Sequence, residues 1–310
     1  MKILVTGGAG FIGKHLVKYL LEKNNVITIF DNFSNSTRKS VDHLIEKNVK
    51  IIEGDIINSQ DILDATKNQD IVIHLAAKIS VVESIKNPLK TFEINVDGTK
   101  NVLIACKKNN IKKIIIASSA AIYDEPTSSE YKLNEQSQKN PISPYGISKF
   151  NMEKEIEKIA LENDIKYIIL RFFNIYGIGQ SNEYAGVISK FSKCIQKNLP
   201  LTIYGNGNQT RDFVAIKDII EIINKICNLK FEKSDIFNIG NGETVSIIDL
   251  AKLMITISKK NISIVFKEKK EGEIFHSTAS IDKARTKLGY NPKIPLKQGI
   301  KEFLLHKNNI

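Results

Sequence analysis

"LVTGGAGFIGKHL", Leu4 to Leu16, joins an apolar run to glycines at positions 7, 10 and 13, and these to residues spaced as on a helix. A glycine triplet alone is a weak signal. Here it follows a strand-like segment and opens a helical one, and an acidic residue, Asp31, ends the next apolar run, "VITIFD". That order is the dinucleotide-binding βαβ signature. Glycines let the backbone approach a pyrophosphate, and the helix N-terminus offers it unpaired N–H groups. Phe11 and Ile12 are expected to anchor the turn in the core. Asp31, with Asn32 beside it, is placed to accept hydrogen bonds from a ribose diol. Its charge would repel a 2′-phosphate and so selects NAD over NADP, with Arg38 nearby as the contrary feature. The bland alternative is a glycine-rich turn and a capping carboxylate. Asp55, with Ile56, follows the third run and either touches the adenine or caps a helix.

Outward from this stretch, short apolar runs fall at 2–6, 26–30, 49–53, 70–75, 112–118 and 166–171. Helically spaced stretches lie between them at 11–23, 59–67, 92–109 and 146–163, with a weaker candidate at 39–47. The alternation predicts an α/β fold with a Rossmann-like, doubly wound parallel sheet. Past residue 172 the pattern loosens, and Gly and Asn gather in "NIYGIGQSNEYAG" and "IYGNGNQT", which read as loops. Helical patterns resume at 185–197, 217–228 and 246–259, with strands near 212–215, 235–239 and 262–266. The expected organisation is an NAD-binding domain over 1–172 and a smaller mixed α/β substrate domain over 173–310. The strands near 212–215 and 235–239 are candidates to return to the first domain.

The bulk properties exclude several classes. The 310 residues are 42% hydrophobic and 25% charged, as in an ordinary globular protein. No run approaches the roughly 18 apolar residues of a membrane span. "MKILVTGG" enters a strand at once, without the apolar core of a secretory leader, so a cytoplasmic location is expected. Cys106, Cys194 and Cys227 are widely spaced, without metal or redox spacing. The net charge of +11 raises nucleic acid as a partner. Yet the lysines are scattered and not interleaved with aromatics as a stacking platform would be, so neither nucleic acid nor membrane is expected as partner.

"PYGISK" places Tyr145 and Lys149 one helical turn apart. A phenol titrating near 10 is a poor base at neutral pH, but an adjacent ammonium and a cationic nicotinamide stabilise its phenolate. Ser119, ending "KKIIIASS", would share the substrate hydroxyl at a strand C-terminus, where open parallel sheets bind ligands. Each residue alone reads as structural: a helix-start aromatic, a snorkelling lysine, a turn serine. Together, in the order of the strands, they read as a proton-transfer group.

With "TGGAGFIG", "DNFSNS", "IHLAA", "NVDGT", "SSAAIY", "YGISK", "RFFNIYG" and "QTRDFVAIKDI", the chain resembles the extended short-chain dehydrogenase/reductases over nearly its whole length. It is most similar to nucleotide-sugar epimerases of the UDP-glucose 4-epimerase type. The resemblance implies that Ser119, Tyr145 and Lys149 are catalytic. It also implies that His74, Leu75, Ala76 and Ala77 line the nicotinamide side of NAD, and that Asn95 is a structural or cofactor contact. Transient oxidation at carbon 4 of a UDP-hexose and return of the hydride to its other face would invert that centre.

Related 4,6-dehydratases carry Thr-Asp-Glu where this chain has Ser119, Ala120 and Ala121, and related decarboxylases keep a glutamate at the Ala121 position. Alanine can neither donate nor accept a proton, so both chemistries lose their machinery. The resemblance further maps UDP-sugar contacts onto Asn174 and Arg211, with Asn198 and Leu199 to Leu201 bordering the uracil. The family's late R-x-G-D is here Lys270 to Glu273, "KEGE", which keeps charge at Lys270 but not arginine's planar fork. By the same resemblance, Ser277 stands at the position that bounds the pocket beside carbon 2, where a small residue implies room for an N-acetyl group; the alternative is that it faces solvent. The helices over 92–109 and 146–163 would pair with a second copy as a homodimer. Other readings are a uronate epimerase, a sugar reductase, or a non-catalytic NAD-sensing regulator.

Overall fold

The computed structural model describes residues 1–180, 186–230, 232–269 and 274–307. The chain begins β1 (Lys2–Thr6), α1 (Phe11–Glu22), β2 (Val26–Asp31), β3 (Lys50–Glu53), α2 (Ser59–Ala65) and β4 (Ile71–His74). It continues α3 (Val81–Lys86), α4 (Pro88–Phe92), α5 (Gly98–Lys108), β5 (Lys113–Ser119), α6 (Pro144–Asn163) and β6 (Lys166–Phe172). Then follow β7 (Asn174–Tyr176), α7 (Val187–Gln196), β8 (Leu201–Tyr204), β9 (Thr210–Arg211), β10 (Phe213–Ala215) and α8 (Ile216–Asn228). The last are β11 (Asp235–Ile239), β12 (Val245–Ser246), α9 (Ile247–Ser258), β13 (Ile264–Lys267), α10 (Asp282–Leu288) and α11 (Leu296–Lys307). The stretch at 39–47 forms two short 3₁₀ turns instead of a helix, Arg38–Ser40 and Asp42–Lys47.

The first strands are apolar on both faces because helices cover both faces of the sheet they build. Ile3, Leu4 and Val5 of β1 are completely buried, as are Val72 and Ile73 of β4. The seven-stranded sheet has the order β11-β6-β5-β4-β1-β2-β3. Its β1 runs parallel to β2 and β4, and β2 to β3 and β4 to β5 likewise. In register, Thr6 stands beside Phe30 on one side and His74 on the other, so β1, β2 and β4 end level. The direction of strand addition reverses between β1 and β4, which opens the crevice where doubly wound sheets hold ligands.

The chain divides into two compact units. The first comprises 1–122, 139–171 and 220–237, and its core includes Leu4, Phe30, Val72, Val102, Ile116, Met152 and Ile169. The second comprises 123–138, 172–219 and 238–310, around Phe191, Ile203, Phe213, Leu250, Met254 and Phe303. The division departs from a single boundary at 172 in two places. Residues 123–138 leave the first unit directly after β5, and 220–237 come back to it. Of the two strands considered for return, β11 joins the sheet at its edge beside β6. The other, β10, pairs in parallel with β7 instead. Three residues carry too few ladder bonds to extend a long sheet, and Phe213 is already committed to the second core. Among the described residues, no helix is long and apolar enough to cross a membrane, and no cluster of ligating side chains suited to a metal is present.

Candidate active site

The glycine loop lies at the crevice. Gly7 has φ +68°, and a Cβ there would stand 2.7 Å from the backbone nitrogen of Ala76, so only glycine lets the loop lie against the chain leaving β4. Gly10 is the N-cap of α1 and brings no side chain to its first turn, whose N–H groups are unpaired within the helix. A close backbone loop, an uncapped twelve-residue helix and a carboxylate at the end of β2 fit a dinucleotide. Phe11 and Ile12 are only half buried, and the Phe11 ring meets His15 edge-on at 5.6 Å.

Asp31 ends β2 half buried. Its Oδ2 accepts from the Ala9 N–H at 2.9 Å, and its Oδ1 from the Phe33 N–H at 2.9 Å and from Ser36 Oγ at 3.4 Å. Burial raises its carboxyl above the usual range, opposed by these bonds. Asp31 therefore ties the glycine loop to the loop after β2, a task its position in the sequence did not reveal. Arg38 is drawn to Glu53 at 3.3 Å and Asp42 at 3.6 Å, two carboxylates that offset the charge a 2′-phosphate would need. Asn32 donates to Asp55 at 3.0 Å. Asp55 turns the chain by accepting from the Ile57 N–H, while Asn58 caps α2 through the Gln60 and Asp61 N–H groups. The capping alternative for Asp55 is thus excluded. Ile56 is 4% exposed, and its side chain packs in the core against Gly98.

After β4, Leu75, Ala76 and Ala77 are half exposed beside Gly7. His74, expected with them along the cofactor, is buried. Its ring is held between Thr6 Oγ1 at 2.7 Å and Thr99 Oγ1 at 2.9 Å. Burial, and then the nearby Lys149 ammonium, push its pKa down to about 3, so it stays a neutral spacer between β1 and α5. Asn95 resolves to the structural one of its two readings. It is fully buried, accepts from the Lys78 N–H at 2.8 Å, and donates to the Lys78 carbonyl at 3.0 Å and to Ser148 at 2.9 Å. It sits in a π-helical turn, Glu93–Asp97, and pins the strap after β4 onto α6.

α6 starts with Ser143 as N-cap, accepting from Gly146 N, and with Pro144 in the first turn. Gly146 is required by proximity, since a Cβ would run into the carbonyl oxygen of Ala121. This approach sets Tyr145 beside the end of β5. The Tyr145 N–H donates to Ser84 at 3.1 Å, its carbonyl accepts from Ser148 at 2.7 Å, and its phenol shares a hydrogen bond with Ser119. Ser119 Oγ also accepts from the Ala121 N–H at 3.1 Å. Lys149, 3% exposed, donates to the Ala117 carbonyl at 3.0 Å. Burial lowers its pKa to about 8, against the pull of Glu153. The sequence led us to expect a phenol made more acidic by this neighbour. In the protein alone the sign is opposite: burial raises Tyr145, and only the Ser119 bond opposes it.

In the second unit a cavity of about 660 Å³ is lined by Asn174, Lys190, Phe191, Tyr204, Gln209 and Arg211, among others. Asn174 donates through Nδ2 to the Asp212 carbonyl at 3.1 Å. Arg211 donates from Nη1 to the carbonyls of Thr210 and Phe275. Both expected nucleotide contacts therefore share one concavity. Thr202 to Tyr204 of β8 line the cavity, and Leu201, expected with Asn198 and Leu199 at the uracil, is completely buried. Ser277 is also buried, not solvent-facing, and the described lining does not include it. Lys270 and Glu273 lie outside the described residues. Lys190, Phe191 and Gln209 were missed, although the strongly amphipathic "VISKFSKCIQ" and the loop before Arg211 carry them.

A "Putative UDP-glucose 4-epimerase" of Methanocaldococcus jannaschii is 38% identical over 99% of both chains. The crystal structure of a Thermotoga maritima UDP-glucose 4-epimerase with UDP-glucose superposes with TM-score 0.93 at 31% identity, covering 100% of this chain and 99% of that one. A UDP-N-acetylglucosamine 4-epimerase from Methanobrevibacter ruminantium, in complex with UDP-N-acetylmuramic acid, gives TM-score 0.92 at 31% identity with the same coverage. The profile of the NAD dependent epimerase/dehydratase family matches residues 3–240, and the chain belongs to that family.

Proposed function

We propose that the protein is an NAD-dependent 4-epimerase of UDP-hexoses, acting on UDP-glucose and UDP-galactose and on their N-acetylated counterparts. The carrying observation is the hydrogen-bonded Tyr145 and Ser119 at the end of β5, with Lys149 buried one turn behind and alanines at 120 and 121. When bound, NAD supplies a hydride-accepting and hydride-returning centre together with a positive charge. Gly7, Gly10 and Gly13 would hold its pyrophosphate, Asp31 its ribose, and the backbone at Leu75 to Ala77 its nicotinamide side. Tyr145 takes the proton of the sugar's 4-hydroxyl and later returns it, while Ser119 fixes that oxygen. Burial raises the Tyr145 phenol, so its phenolate depends on the cations beside it. Arg211 and Asn174 grip the nucleotide diphosphate, with Lys190 within the same cavity.

Acceptance of N-acetylated sugars rests on the small side chain at position 277. The likeness to both a UDP-glucose and a UDP-N-acetylglucosamine 4-epimerase supports both halves of the proposal. A homodimer through α5 and α6 is part of the proposal. Ile104, Ile147 and Leu161 are exposed on those helices, and Ile147 and Leu161 lie 14 residues apart on one face.

Incubation with a panel of UDP-sugars, resolved chromatographically, should yield the 4-epimer of each accepted sugar. Turnover of UDP-glucose alone would remove the N-acetyl half of the proposal, and a uronate as sole substrate would favour the uronate epimerase. Tyr145→Phe should bind NAD as before and lose nearly all turnover. Retained turnover there would refute the assigned base.

A further inference from the structure

The proton-transfer stripe of α6 does not end at Lys149. Tyr145, Lys149 and Glu153 follow one another at intervals of four, so the three side chains share a face. Glu153 is 3% exposed. It accepts from Arg171 Nε at 3.0 Å and Nη2 at 2.7 Å, and from Ser118 Oγ at 2.5 Å. Arg171 of β6 is itself 3% exposed, and Ser118 immediately precedes the Ser119 that bonds Tyr145. A fork-shaped guanidinium from one strand and a hydroxyl from the next thus fix one carboxylate behind the buried lysine.

We infer that Glu153, clamped by Arg171 and Ser118, is a positioning residue that keeps Lys149 an ammonium behind Tyr145. This rests on the reading of Tyr145 as the proton-transfer group.

The charges around Lys149 leave it little other support. On α6 it has Tyr145 and Glu153; from β4 it faces His74, which is neutral; from β5 it meets the Ala117 carbonyl. Arg171 on β6 and the half-buried Lys139 before α6 add positive charge around Glu153, with Glu157 beside them. Without Glu153, the site would bury the cations of Lys149 and Arg171 with no anion of its own. Arginine cannot release its proton, so Lys149 would release its own. A neutral amine gives the phenolate no electrostatic support. The pull of Glu153 against the burial of Lys149 has the sign this requires.

The test uses the NAD-bound protein and reads phenolate directly, as the ultraviolet difference band that Tyr145→Phe abolishes. Glu153→Gln should move the ionisation midpoint of that band up by about one pH unit, or roughly tenfold less phenolate at a given pH. kcat should fall in parallel while KM for the UDP-sugar holds. Glu153→Asp, which keeps the charge, should restore most of the shift. Should Glu153→Gln fold poorly, the double variant Glu153→Gln/Arg171→Met removes the stranded cation, and its midpoint should still be displaced upward. Midpoints of the single and double variants superimposing on the wild type would overturn the inference and reduce the pair to scaffolding. Turnover retained by Tyr145→Phe would instead remove the reading underneath it, and the inference with it.

Discussion

Each unit of the molecule buries a carboxylate almost completely, Glu153 in the first and Asp212 in the second, and these two are held by opposite means. In the first unit Glu153 meets an arginine fork at 2.7 Å, charge against charge. In the second, Asp212 is fully buried and caught by backbone alone, accepting from the N–H groups of Asn241 at 2.6 Å, Gly242 at 2.9 Å and Ala279 at 3.2 Å. Burial outweighs those bonds and pushes Asp212 up to about 6, with Lys132 as a distant cation opposing it. A carboxylate that must stay charged, because a neighbour depends on its field, is given a permanent counter-ion. A carboxylate that only has to knot three loops together is given hydrogen bonds, which a protonated carboxyl can partly keep.

The sharpest way to break the comparison is to remove the counter-ion. Arg171→Met strands Glu153 in the core and should cost about 3–5 kcal/mol of stability, measured by urea unfolding at neutral pH. The double variant Glu153→Gln/Arg171→Met should recover most of that loss, since apolar or neutral replacements of a buried pair are often tolerated. It should not recover turnover. Recovery of both would make the pair purely structural.

The next effect is a pH dependence. Asp212 has its folded-state pKa raised, from 3.8 to about 6. Its contribution is therefore fully present below pH about 4 and is lost as pH rises through 6, by about 3 kcal/mol. Asp212→Asn does not titrate, so the stability of the wild type relative to this variant should fall across that window. A flat difference would mean that the three N–H bonds fully offset the burial.

Much of this contrast was hidden in the sequence while the frame around it was open. The strands from β1 to β6 were legible because each is a short apolar run, and a strand buried on both faces needs little else. The glycine loop was legible because strand, tight turn, helix and acid arrive in a fixed order. Tyr145, Lys149 and Ser119 were legible as a group, but the direction of the Tyr145 shift was not. Spacing names neighbours, whereas burial, which dominates here, is a property of the packed site. Asn95 was left between two roles because a π turn rotates it out of the α-helical register. Which residues of β8 line the second cavity was not legible, because "LPLTIY" does not announce which alternate side chains face the core.

A smaller effect separates the units by ligand. Arg211→Lys keeps the charge in the cavity of the second unit but gives up the planar fork, so binding of UDP should weaken about tenfold, or 1.4 kcal/mol, by calorimetry. Binding of NAD, assigned to Gly7, Gly10, Gly13 and Asp31 of the first unit, should not change. Loss of both affinities together would show that Arg211 serves the fold and not the nucleotide.

The least costly change tests whether the outer face of the first unit is a contact surface. Leu161 on α6 is 87% exposed, and a lone exposed leucine in a monomer is replaceable within about 0.5 kcal/mol. Leu161→Lys should therefore leave urea unfolding at low protein concentration unchanged. If α5 and α6 pair with a second copy, the same lysine faces an apolar partner, and the mass by light scattering should fall from dimer towards monomer. A dimer of unaltered mass would assign the exposed Ile104, Ile147 and Leu161 to solvent. The contrast between a charged carboxylate and a knotted one would then hold within a single chain.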